Sequence, residues 1–126
     1  MKYLILIHSN PLSREMWESF TAEQRHEGLT AYAAFDEALH ASGELVMSAP
    51  LADISQAKRI TVVDGEVMTT DGPFAEVKEH LAGFILIECD GVDRAVEIAA
   101  QLPEADLGLI EVRPLITLGA MEEPPF

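Results

Sequence analysis

Two runs, KYLILIH at residues 2–8 and GFILIECD at 83–90, are apolar at odd and even positions alike and read as β-strands. Ser9-Asn10-Pro11 breaks the first run, and LSREMWESF after it holds a short helical turn with Met16, Trp17 and Phe20 on one face. Thr21 and Gln24 have the spacing of a capping box, and the helix they open runs to Ser42 and stops at Gly43. Its apolar stripe is Leu29, Tyr32, Phe35 and Leu39, and Glu23, Glu27, Asp36 and Glu37 face water. ELVMSAPL is a strand interrupted at Pro50, and RITVV with EVMTT flanks Asp64-Gly65, the pair a two-residue hairpin turn requires. GVDRAVEIAAQLP is a helix with Val92, Ala95, Ile98, Ala99 and Leu102 on one side, stopped by Pro103. LGLIEVRPL closes the domain at about residue 116, and 117–126 is an extended or mobile tail unless a partner holds it.

This order predicts an α+β, ferredoxin-like antiparallel sheet with two main helices on one face and an inserted β-hairpin. Helices on one face cannot cover strands that are apolar on both. Leu4 to Ile7 and Phe84 to Ile87 therefore call for a second cover, and the simplest is another copy of the chain, sheet against sheet.

Composition narrows the class. The chain has 126 residues, enough for one domain with a real core, and 48% of them are hydrophobic. No apolar run is long enough to span a bilayer, and the N-terminal run is shorter than the hydrophobic segment of a secretion signal. A single cysteine, Cys89, excludes an internal disulfide framework; between Glu88 and Asp90 it reads as an inert buried thiol, so a cytoplasmic setting is expected. Twenty-two acids against 8 bases give a net charge of −14, which repels phosphate backbones and anionic membranes. Neither nucleic acid nor membrane is an expected partner. An anionic ligand would need one of the few cations, among them Lys58, Arg59, Lys78 and Arg113.

The stretch TTDGPFAEVKEHLAGF, residues 69–84, concentrates a Gly-Pro turn, an aromatic and several ionisable groups. It reads as a turn, a short charged helix and the start of a strand. Pro73 suits the first helical position, Asp71 the cap, and Lys78 with His80 the C-terminal end; Phe74 would plug the core.

Asp71-Gly72-Pro73-Phe74, then Ala75-Glu76, Lys78-Glu79 and Leu81-Ala82-Gly83-Phe84, resembles the signature of the DGPF-domain proteins of the YCII-related family. MKYLILIH, Tyr32-Ala33-Ala34-Phe35, the VDGEV hairpin and EVRPL extend the likeness over about residues 1–116. The resemblance implies a dimeric α/β barrel and a bacterial protein whose relatives' genes often lie near those of extracytoplasmic-function sigma factors. Broader relatives carry a His–Asp pair proposed to act in a cleft, and one of them dehalogenates a chlorinated aromatic. Matching helix and Gly-Pro puts Tyr32 at that histidine and Ala49-Pro50 at the Gly-Pro, with Asp53 the nearest acid, so the pair is not reproduced and its chemistry does not carry over.

No histidine pair has metal-ligand spacing, and neither a Gly-rich phosphate loop nor a GxSxG elbow occurs, so neither metal nor cofactor is expected. His26 and His40 read as surface residues. The candidate catalytic groups are Asp71, His80 and His8, because a histidine near a carboxylate can shuttle protons at neutral pH. Lys78, Phe74 and Tyr32 are the candidate substrate-binding groups. Each has a structural role beside it: Asp71 as a helix cap, Phe74 and Tyr32 as core, Lys78 as an ion-pair partner. Two functions fit. One is a cofactor-independent enzyme using acid–base chemistry on a small aromatic or lactone-like molecule. The other is a non-catalytic dimeric module that binds a small molecule or a protein, linked to sigma-factor regulation. Light scattering at micromolar concentration is expected to give a dimer's mass; a monomer's mass would contradict the two-faced sheet.

Overall fold

The computed structural model describes residues 1–74 and 78–122. β1 (Lys2–Ser9) leads directly into α1 (Pro11–Ser19), capped by Asn10, whose side chain accepts the Ser13 amide at 2.8 Å. α2 (Ala22–Ser42) begins with the box read from the sequence. The Gln24 amide donates to the Thr21 hydroxyl at 3.1 Å, and the Thr21 amide donates to the Gln24 side chain at 2.8 Å. It ends at Gly43, φ +80°. β2 (Leu45–Pro50) follows, then a 3-10 turn at Ile54–Gln56 and the hairpin of β3 (Lys58–Val63) and β4 (Glu66–Asp71). Asp64 and Gly65 both have positive φ at its tip, as the turn demands. β5 (His80–Glu88), α3 (Val92–Ala99), a 3-10 turn at Pro103–Leu107 and β6 (Ile110–Pro114) complete the domain; Leu118–Glu122 forms one more 3-10 turn.

The main sheet is antiparallel in the order β2-β5-β1-β6, which is the ferredoxin-like arrangement, and β3-β4 is a separate two-stranded ribbon. Strand alternation divides β1 and β5 cleanly. Tyr3, Ile5, Ile85 and Ile87 point to the helices, and with Leu39 of α2 and Ala95, Ile98 and Ala99 of α3 they form the core. Ile5, Ile87 and Ile98 are wholly buried, each contributing about 1.5–3 kcal/mol by burial. The opposite face carries Leu4 and Leu6 beside Phe84 and Leu86, flanked by Met47 and Ala49 on β2 and by Glu111 and Arg113 on β6.

Two expectations change. Leu29, read as part of the α2 stripe, is 60% exposed, and Val92 on α3 is 52% exposed, because only the later part of each helix reaches the sheet. The charged helix after Pro73 is not found among the described residues. His80, Leu81 and Ala82 belong to β5, and Lys78 and Glu79 lie in a bend; residues 75–77 of that expected helix lie outside the described residues. The ladder with β1 wins over local propensity, since β1 extends to Ser9 and pairs it with His80.

Arg94 of α3 grips Glu44, just before β2, through Nε at 2.9 Å and Nη2 at 2.8 Å. These bonds hold the Glu44 carboxyl down to about 2 from an ordinary 4.5. A depressed carboxyl stabilises the fold above its unfolded value and loses that contribution as pH falls through its folded one. The stability gap between wild type and Arg94→Met should therefore close between pH 4.5 and about 2, as read by denaturant titration; a constant gap would show that the pair is not coupled to folding.

Candidate functional site

The six candidate residues do not converge on one point. Asp71 ends β4 and accepts Lys58 Nζ at 2.6 Å across the base of the ribbon, with both side chains exposed. The Arg59 guanidinium lies over the Phe74 ring, 4.0 Å from its centroid. Lys78 is exposed in the bend before β5. The Tyr32 hydroxyl donates to Glu104, which joins α2 to the turn after α3. His8 sits near the end of β1 with Nε2 3.2 Å from Glu111 Oε1, and the other Glu111 oxygen accepts Arg113 Nε at 3.0 Å.

His80 has different company. Its Nδ1 is sealed from solvent and finds no hydrogen-bond partner among the described residues. Close by is Asp53, an acid singled out in the sequence only through a resemblance. The local signal for Asp53 is legible in retrospect: Asp-Ile-Ser after Pro50 is the spacing of a carboxylate cap, and Asp53 Oδ2 accepts the Ser55 amide at 3.0 Å to start the 3-10 turn. Asp53 Oδ1 accepts Arg14 Nη2 from α1 at 2.8 Å. Hydrogen bonds from Ser55 hold its carboxyl below the usual range, and the charges of Arg14 and His80 act in the same direction. Nothing in the spacing of residues 14, 53 and 80 announces this meeting, which depends on three separate elements.

Beside these groups lies a hollow of about 330 Å³ lined by Leu51, Ala52, Asp53, Ile54, Gln56, Ala57 and Leu81. An apolar wall with one carboxylate in it, and with Leu81 next in sequence to His80, suits a small, partly apolar organic molecule. Among the described residues no cluster of three or more His, Cys, Asp or Glu side chains is placed to hold a metal ion. A second hollow, of about 360 Å³, lies between α3 and β6 and is lined by Val96, Ala99, Ala100, Ala105, Ile110 and Val112, with no ionisable side chain.

With this geometry in place, comparison with known proteins is informative. Residues 1–119 match the YCII-related domain. An uncharacterised protein of Rhizobium meliloti (strain 1021) is 32% identical over 117 residues, covering 91% of this chain and 92% of the relative. Among solved structures, the 5-chloro-2-hydroxyhydroquinone dehydrochlorinase of Burkholderia phenoliruptrix AC1100, in complex with 2,5-dihydroxybenzoquinone, superposes with a TM-score of 0.51. It is 18% identical, and the match covers 95% of this chain and 98% of that one, a likeness of fold. The chain belongs to the YCII-related family.

Tyr32 is distinguished by its ionisation. Burial first, then its bond to Glu104 and the nearby acids, push the phenol well above its ordinary value of 10.0. A neutral, half-buried phenol stabilises the fold fully below pH 10 and progressively less above it, where the unfolded chain ionises first. In an alkaline absorbance titration, the difference between wild type and Tyr32→Phe should appear only as the fold unravels. A phenolate formed near pH 10 in the folded protein would contradict the buried bond.

Proposed function

We propose that this YCII-related protein is a cofactor-independent enzyme that moves protons on a small organic molecule held in the hollow beside Asp53 and His80. The observation that carries this reading is the imidazole of His80, with one nitrogen buried and unpartnered among the described residues, within electrostatic reach of the Asp53 carboxylate that Ser55 and Arg14 hold. A histidine beside a fixed carboxylate is the arrangement general acid–base catalysis needs, because the carboxylate stabilises the imidazolium formed when a proton is taken up. His80 is the proton carrier in this reading. Asp53 takes the part of the acid for which the sequence suggested Asp71, and Arg14 orients Asp53. Leu51, Ile54 and Leu81 form the apolar wall. The likeness to a dehydrochlorinase bound to 2,5-dihydroxybenzoquinone supports a hydroxylated ring or quinone as the substrate class.

The same reading includes a homodimer. Leu4, Leu6, Phe84 and Leu86 share the sheet face opposite the helix-side core, and a second copy's equally apolar sheet is the simplest cover for it. Lys78 and Phe74, on the loop leading into β5, are then candidates for the rim of the hollow rather than for proton transfer. His8, held by Glu111 on the opposite face, would lie toward the second copy. A second reading, a non-catalytic binding module, is favoured by the β3-β4 ribbon, whose Ile60, Val62 and Val67 are 69%, 62% and 69% exposed.

The two readings divide on His80. With 2,5-dihydroxybenzoquinone as probe, calorimetry should show binding to the wild type, and NMR should show the protein speeding exchange of the probe's carbon-bound hydrogens with deuterated solvent. His80→Gln should lower that exchange by roughly 10²–10⁴-fold with the fold intact, the usual range for a lost acid–base group. Undiminished exchange in His80→Gln would end the catalytic reading, and binding without any exchange would favour the module.

A further inference from the structure

The Asp-Gly-Pro-Phe motif, prominent in the sequence, holds none of the groups assigned to proton transfer, yet its contacts lead to them. Asp71 takes Lys58, the Gly72 amide donates to the Ala57 carbonyl at 2.7 Å, and Phe74 lies under Arg59. The partners are consecutive, 57 to 59, and follow directly on the 3-10 turn that Asp53 caps. Gly72 does not have a positive φ, so backbone conformation is not what demands a glycine there. Close approach is. A Cβ on residue 72 would stand 2.1 Å from the Ile54 carbonyl oxygen and 3.3 Å from that of Ala57, both backbone atoms of the turn. At its other end the same segment is tied to β5, where the Leu51 amide donates to the Ala82 carbonyl at 2.8 Å, two residues beyond His80. The stretch from Leu51 to Ala57 is thus pinned by β5 at one end and by the motif at the other, with Asp53 between the pins.

We infer that Gly72 is a positioning residue: the motif latches onto the Ile54–Gln56 turn through a contact only glycine permits, and the latch sets Asp53 against Arg14 and His80. This inference rests on the assignment of Asp53 and His80 as the working pair. The rest of the motif serves the same contact. Asp71 closes the ribbon base next to the latch, and Phe74 meets Arg59 of the same ribbon. A residue with a Cβ at position 72 would push the turn away from β4, and Asp53, whose cap bond to Ser55 is part of that turn, would move with it.

The test is a carboxyl NMR titration of the full chain with no ligand present. Gly72→Ala is expected to move the Asp53 titration up toward the ordinary aspartate range, because the Ser55 bonds that depress it are disturbed. Glu111, depressed mainly by Arg113 on β6, should titrate as in the wild type and report an intact sheet. An unchanged Asp53 titration in folded Gly72→Ala would overturn the latch. If Gly72→Ala fails to fold, amide exchange on the wild type decides. The Gly72 amide should exchange at the rate of the Gln56 and Ala57 amides, as one cooperative unit, whereas a Gly72 amide exchanging about tenfold or more faster would overturn the proposal. Because neither readout involves a ligand, a failure of the latch is separable from a failure of catalysis, which only the His80→Gln exchange measurement reads.

Discussion

The ladder between β1 and β5 is the constraint from which the site follows. It runs from Lys2 opposite Glu88 to Ser9 opposite His80, with one irregularity between Ile7 and His8. Isoleucines at alternate positions of both strands bury against α2 and α3, and slipping the register by one residue would turn all of them to the wrong face. The burial of Ile5 and Ile87 sets the ladder as far as Ile7 opposite Gly83, and the irregularity beyond it brings Ser9 opposite His80. α1 starts two residues after β1 ends, so the same register brings Arg14 near that end of the sheet, where Asp53 meets it.

Around that end the chain makes a sequence of local choices that agree with one another. Pro50 ends β2, Asp53 caps a short turn, and the turn feeds the ribbon, whose return strand ends at the Asp-Gly-Pro-Phe motif. The motif lies back on the turn that opened the ribbon. A detour of residues 58–71 thus begins and ends at one place, next to the turn that Asp53 caps. Anionic charge is abundant on this chain, with 22 acids, and Asp53 is held by an arginine and a backbone amide together. That double hold fixes the direction of Asp53, although its side chain is 44% exposed.

Much of the architecture was legible in the residues because its signals are local. The Thr21–Gln24 box, the stop at Gly43 and the Asp64-Gly65 turn each depend on atoms within a few residues, and each appears where the sequence put it. The strands apolar on both faces likewise announced a sheet whose far side carries Leu4, Leu6, Phe84 and Leu86. The helix expected after Pro73 is not found among the described residues, and residues 75–77 of it lie outside them. Gly-Pro with an acid early and Lys78 and His80 late favours a helix in isolation, but His80 and Leu81 are needed to complete the ladder with β1. The site was less legible than the fold for the same reason. His80 could be singled out as a titratable group. Asp53 and Arg14, by contrast, join it from a turn and a helix with which it shares no periodicity, and the need for glycine at position 72 comes from the Ile54 carbonyl, which is distant in sequence.

The claim on which the account turns is that the working surface is the hollow at the Asp53 turn. A crystal structure grown with 2,5-dihydroxybenzoquinone tests it directly. The account predicts the ring against Leu51, Ile54 and Leu81, with one of its oxygens within hydrogen-bonding distance of His80. A ring bound instead on the opposite sheet face, between His8, Glu111 and Phe84, or in the hollow between α3 and β6, would contradict it.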